Sequence, residues 1–259
     1  MRTRVVAGAV VIAAVGFLFA QHATAQTGDV HVLASNGVKA LLEAVVPQAE
    51  RATGRHLVIE FNTSAALKPR IESGEAFDVT VMTSDVLDDL MKAGKVAAGT
   101  TAGVARSGIG VGFRSGAPKA DIRTPEALKR TLQNAKAITY AQDGASRAHI
   151  LKMLEVFGIA EAVNAKTILE QGSIRSTARV ASGDAELVLT LVSEILPIKG
   201  IELAGPLPAE LQTYVSLSAA VGAKAKDVTA AKALVTFLAS PAIAPTLKAK
   251  GMEPFKTSR

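Results

Sequence analysis

The stretch "HLVIEFNTSAALKPRIESGEAFDVTVM" (residues 56–82) decides the fold. Two short apolar runs, "HLVIEF" and "FDVTVM", flank a segment that opens on Asn62-Thr63-Ser64 and carries Leu67 and Ile71 at helical spacing. The order is strand, turn, helix, strand. Parallel strands need such a crossover, so the stretch predicts a sheet covered by helices. It also poses a question. A helix start is already partly positive, yet Lys68 sits in the opening turns where Asp or Glu is usual. Either Lys68 is solvated or something negative lies beside it.

The same alternation extends outward. "VHVLAS" (residues 30–35) reads as a strand, and Val38, Leu41, Leu42, Val45, Val46 and Ala49 form a helical series that stops near Gly54. "SDVLDDLMKAGKV" (residues 84–96) is a helix with Ser84 as its expected cap. "TPEALKRTL" (residues 124–132) begins a helix with Thr124 as cap and Pro125 first in line. Strands at "AITYAQ" (residues 137–142) and "AKTILEQ" (residues 165–171) lead into helices at "DGASRAHILKMLEVFG" (residues 143–158) and "GSIRSTARVASGD" (residues 172–184). "AELVLTLVS" (residues 185–193) is apolar almost throughout, as suits a strand buried on both faces. Long strands at residues 108–113 and 214–221 are the expected crossovers between two lobes. The expected division is 26–106 and 213–259 for the first lobe and 107–212 for the second.

Composition narrows the setting. Arg2 and Arg4, an apolar run over residues 5–20 and the small-x-small Ala23-Thr24-Ala25 give the layout of a cleaved secretory leader over residues 1–25. The chain has 29 Lys and Arg against 23 Asp and Glu. The leader holds two of those arginines and no acid, so the remainder stays mildly basic. No clustered basic patch points to nucleic acid, whereas a small anionic ligand suits the balance. Cysteine is absent, which excludes disulfides, thiolate metal sites, cysteine nucleophiles and a lipid-attachment cysteine. The expectation is a monomer free in a periplasm and not inserted in a membrane. His31, His56 and His149 stand at no ligand spacing, and no phosphate-loop, dinucleotide or nucleophile-elbow motif occurs, so no metal or cofactor is expected.

Four junctions repeat one pattern. "ASNGVK" (residues 34–39), "NTSAALK" (residues 62–68), "DGASR" (residues 143–147) and "GSIR" (residues 172–175) each follow a strand, open a helix and bring small polar residues before a cation. In an open α/β sheet such junctions lie at the carboxyl ends of the strands, where ligands bind. Free N–H groups there make an anion site. The candidate ligand-binding residues are Asn36, Gly37, Lys39, Thr63, Ser64, Ser146, Arg147, Ile174, Arg175 and Thr190. Lys39, Arg147 and Arg175 would supply charge, and a guanidinium holds a carboxylate through two parallel bonds.

"VHVLASNGVKALLEAVVPQAERATG" (residues 30–54), "NTSAALKPRIESGEAFDVTVM" (residues 62–82), "GDAELVLTLVSEIL" (residues 183–196) and "AAKALVTFLASPAIAPTLKAKGMEP" (residues 230–254) resemble the periplasmic molybdate-binding proteins of ABC transporters. Ser64, Leu67, Ile71, Gly74 and Asp78 carry the most specific part of the likeness. The resemblance implies a two-lobed type II periplasmic binding fold, each lobe a mostly parallel sheet flanked by helices, with two crossover strands and an anion in the cleft. It implies a transporter permease as partner. It also implies ligand contacts from Ser64, from backbone near Ala145 and Ser146, and from Ile174. Gly37 and Leu191 stand where that family has a serine and a tyrosine on the ion. Their smaller or apolar side chains are expected to make room, and with the arginines they favour a di- or tricarboxylate over molybdate. The wider relatives include a periplasmic aconitate isomerase, which implies an alternative: an enzyme moving a proton within an unsaturated tricarboxylate. Its base would be sought at His149 or Lys39.

Overall fold

A computed structural model of the chain describes residues 28–256, so the expected leader lies outside the described residues. The first lobe opens with β1 (Val30–Ser35), α1 (Lys39–Thr53), β2 (Leu57–Asn62), α2 (Ser64–Glu72), β3 (Val79–Thr83) and α3 (Ser84–Lys92). β4 (Ala102–Arg114) leads to α4 (Pro125–Asn134), β5 (Ile138–Ala141), α5 (Arg147–Val156), α6 (Ala160–Asn164) and β6 (Thr167–Glu170). The second lobe continues through α7 (Ser173–Ser182), β7 (Leu187–Leu191), α8 (Val192–Ile195) and β8 (Ile201–Pro206). β9 (Tyr214–Val221), α9 (Val228–Leu238), α10 (Ala244–Ala249) and β10 (Glu253–Pro254) return to the first lobe.

Each lobe is parallel away from the crossing strand and antiparallel beside it. β1 runs parallel to β2 and β3, so α2 passes over β1 to join its two neighbours. β5 is likewise parallel to β6 and β7. β4 belongs to both lobes. Its residues up to Gly108 pair with β9, and from Ile109 onward it pairs with β7.

The second crossover differs from expectation. β9 pairs only with β3 and β4 and lies wholly in the first lobe. The return is made by the irregular residues 207–213, where Pro206 and Pro208 lack the N–H groups a ladder needs. There the side chain of Gln212 does the work of a neighbouring strand. Its Oε1 accepts from the Ile109 N–H at 2.9 Å and its Nε2 donates to the Ile109 carbonyl at 3.0 Å.

Apolar periodicity sets the layers. Leu41, Leu42 and Val45 of α1 pack with Leu234 and Leu238 of α9 on one face of the first sheet. Leu67 and Ile71 of α2 pack with Leu87 and Leu90 of α3 on the other. Each of these fully buried side chains contributes about 1.5–3 kcal/mol. In the second lobe Leu128, Leu132, Ile150 and Leu154 join Ile138 and Leu189, while Val180 and Ile195 cover Val188 from the opposite side. β7 is buried throughout, as its continuous apolar run predicts.

Ser84 does not cap α3. β3 passes straight into the helix, Ser84 is its first residue, and its hydroxyl bonds Ser218 of β9 at 2.8 Å. β8, "IELAGP", escapes a period-based reading because Gly205 and Pro206 mark its end as a turn.

Candidate functional site

The starts of α1, α2, α5 and α7 lie at the carboxyl ends of β1, β2, β5 and β6 and meet where the lobes face each other. Gly172 is at the centre. Its N–H donates to Asp143 Oδ1 at 2.8 Å, and Asp143 Oδ2 accepts from the Thr63 hydroxyl of the first lobe at 2.7 Å. Thr63 also accepts from the Ala66 N–H at 3.1 Å, which caps α2. Gly172 has φ +79, and a Cβ there would stand 3.7 Å from Asn36 Nδ2 and 3.9 Å from Thr63 Cγ2. The positive φ is what calls for glycine here, since those distances are ordinary van der Waals contact. A second bond across the lobes runs from the Ser193 hydroxyl to the Gly37 carbonyl at 2.8 Å.

A second carboxylate stands next to the first. Glu194 of α8 accepts from the Ser173 hydroxyl at 2.7 Å, from the Thr190 hydroxyl, and from the Leu191 N–H at 3.4 Å. Burial pushes its carboxyl above the ordinary carboxylate range, and the charge of Asp143 adds to that shift. The three hydrogen bonds act in the opposite direction. Consecutive residues at the head of α7, Gly172 and Ser173, thus hold one carboxylate each.

Two recesses open between the lobes. One of about 440 Å³ is lined by Ser64, Ser84, Asp85, Asp143, His149 and Tyr214 among others. The other, about 250 Å³, is lined by Asn36, Lys39, Ser173, Ile174, Ser193 and Glu194 among others. A larger groove of about 920 Å³ lies on the second lobe between Phe113, Arg130 and Glu186. None of the four helix starts reaches it, so its size is not a reason to place the site there.

The structure brings several of the expected residues together. Asn36 is buried, with its Oδ1 unpartnered. Gly37 donates its N–H to Ser35 Oγ at 3.3 Å. Ser64 Oγ accepts from the Thr83 N–H at 3.0 Å and borders the larger recess. Ser146 is buried at the head of α5 without capping it. Ile174 borders the smaller recess, and Thr190 is engaged with Glu194. Lys39 lines that recess too, but its ammonium pairs with Glu43 and lies 4.8 Å from the Phe61 ring centroid.

Three expectations change. Arg147 does not face the cleft; it lines a separate hollow of about 160 Å³ with Tyr140, Asn164 and Thr167, because its helix position turns it toward β5 and β6. Arg175 lies in a groove with Glu170 and Arg179, on the outer side of α7. Nor do Gly37 and Leu191 open space. A Cβ on Gly37 would come within 3.1 Å of Leu191 Cδ1, so the leucine packs over the glycine and fills the gap. The anion beside Lys68 is also identified: Asp89 of α3, at 2.7 Å, which raises the lysine's pKa.

Sequence reasoning missed Asp143, Glu194 and Ser193. Asp143 lies within "DGASR", and because the dipole favours a carboxylate at any helix start its position carries no distinctive local signal. Glu194 follows the apolar β7 run directly, where an acid meets low dielectric; that was the available signal.

Residues 30–253 match the family described as bacterial extracellular solute-binding protein. The chain is 31% identical to an aconitate isomerase of Pseudomonas sp., over 95% of this chain and 94% of that relative. It is 26% identical to the molybdate-binding protein ModA of Azotobacter vinelandii, over 88% and 90%. The solved periplasmic molybdate-binding protein of Azotobacter vinelandii superposes with a TM-score of 0.75 at 16% identity, over 88% of this chain and all of that one. It shares the two-lobed type II fold described above. The chain belongs to the bacterial extracellular solute-binding protein family.

Proposed function

We propose that the protein is a periplasmic solute-binding protein that takes a small carboxylate between its lobes and delivers it to the permease of an ABC importer. The observation that carries this reading is the meeting of four helix starts from two lobes around recesses of about 440 and 250 Å³. Backbone N–H groups at those starts favour an anion, and Asp143 is itself a carboxylate held by a hydroxyl from one lobe and an N–H from the other. The proposed contacts are the side chains of Asn36, Thr63, Ser64 and Ser146 and the backbone at Gly37 and Ile174, with Lys39 at the rim. The lobes are 26–106 with 213–259, and 107–212. Ligand binding would favour the closed arrangement by its contacts to both lobes at once. Thermal unfolding in the presence of molybdate, sulfate, succinate, citrate and the aconitates tests it. Stabilisation by a carboxylate supports the reading, stabilisation by molybdate or sulfate alone replaces carboxylate with oxyanion, and no shift with any anion removes it.

A second reading is favoured by a specific observation. Two carboxylates, Asp143 and Glu194, border the recesses, and burial holds the second toward its protonated form. A proton-transferring site uses such a pair, with the ionised member as base. The relative named aconitate isomerase gives the corresponding reaction. Incubation with cis-aconitate and detection of the trans isomer decides: turnover replaces the carrier, and stabilisation without turnover retains it.

A further inference from the structure

Asn36 is 6% exposed, its Oδ1 is buried without a partner, and its amide forms no side-chain hydrogen bond among the described residues. It lines the smaller recess, with Nδ2 beside Gly172. A carboxamide carries a donor end and an acceptor end. Turning it over exchanges the ends and leaves the same two needs. A guest that satisfies both must bring an acceptor and a donor. Further acceptors point the same way: Glu194 lines the same recess, and Asp143 sits on the adjoining Gly172 N–H. A fully ionised tetrahedral oxyanion brings acceptors only. It would leave one end of Asn36 unsatisfied. An ammonium would supply donors, but the positive helix starts oppose it.

From this we infer that the ligand is a hydroxycarboxylate, its carboxylate on the helix starts and the Asn36 NH₂, its hydroxyl donating to Asn36 Oδ1 or the neighbouring carboxylates. This rests on the carboxylate-binding reading and names the class within it. Sites that hydrogen-bond a hydroxyl reject the analogue lacking it, because their own polar groups are then stranded.

Titration calorimetry on the whole protein with two matched pairs, citrate against tricarballylate and malate against succinate, tests the inference. In at least one pair the hydroxylated member should bind about tenfold or more tightly than its partner. Asn36→Ala should shrink that ratio toward one, whereas Ser64→Ala should weaken both members alike. Equal affinities within both pairs overturn the inference while leaving carboxylate binding intact, as does a ratio that survives Asn36→Ala. Binding of molybdate or sulfate alone overturns it together with the carboxylate reading. Binding of no anion removes the cleft reading altogether. The wild-type ratio needs no variant, so it stands even if Asn36→Ala fails to fold.

Discussion

The helix starts of the two lobes are written in similar sequence, "NTSAALK" at residues 62–68 and "GSIR" at residues 172–175, and they are completed differently. In the first lobe the cap is internal to the helix, although its hydroxyl also donates to Asp143. Thr63 caps α2, and the nearby cation is answered by Asp89 of the next helix. In the second lobe α7 begins uncapped at a left-handed Gly172, and its free groups are taken by carboxylates from other segments. Cations beside a helix start therefore do not mark an anion site by themselves. The mark is a start whose N–H and hydroxyl groups remain open to partners distant in sequence.

Four experiments break or sharpen that contrast. The largest effect should come from Asp143→Ala, which strands the Thr63 hydroxyl and the Gly172 N–H at once. A loss of about 2–3 kcal/mol in urea unfolding is expected, since hydrogen bonds to a charged group are the stronger kind. A loss below about 0.5 kcal/mol would mean the lobes are not joined through this carboxylate. Gly172→Ala should follow at about 1–2 kcal/mol, from its positive φ. The same substitution at Gly28, an open position outside the regular elements, should leave the unfolding midpoint unchanged.

Glu194→Gln is a test in pH. Burial raises the folded pKa above the unfolded one, so the folded chain binds this proton more tightly. The stability it contributes is full at acidic pH and falls as pH rises from the ordinary carboxylate range through the raised value. Glutamine removes that slope, so the variant should gain on the wild type as pH rises from the ordinary carboxylate range. A gap that is constant with pH would show that folding does not raise the Glu194 pKa. The smallest effect belongs to Asp89→Ala. Its pair with Lys68 is solvent-exposed, and the melting temperature should not move measurably.

Much of the architecture was legible because amphipathic periods are local. The βαβ order, the Thr124 cap, the end of α1 at Gly54 and the buried β7 all follow from spacings of a few residues. The small polar residues Asn36, Thr63 and Ser64 were legible too, since strand–turn–helix junctions fall at one end of a sheet. The directions of Arg147 and Arg175 were not. They depend on which face of α5 and α7 packs on the sheet, and a short helix start leaves that undecided. Asp143 and Thr63 are 80 residues apart, and nothing local to either announces their bond. The closure of Leu191 over Gly37 is long-range in the same way: each residue alone suggests vacancy, and together they fill it.

The two lobes are threaded on one unbroken strand, and where its neighbours change it is gripped by the amide of Gln212. Gly108 permits that grip, since a Cβ there would stand 3.1 Å from the amide. Letting go of that side chain would loosen the joint while the Leu207 N–H stays on the Ile109 carbonyl at 3.0 Å. Part of its stiffness is then a property of residue 212, adjustable by a single substitution in the return segment.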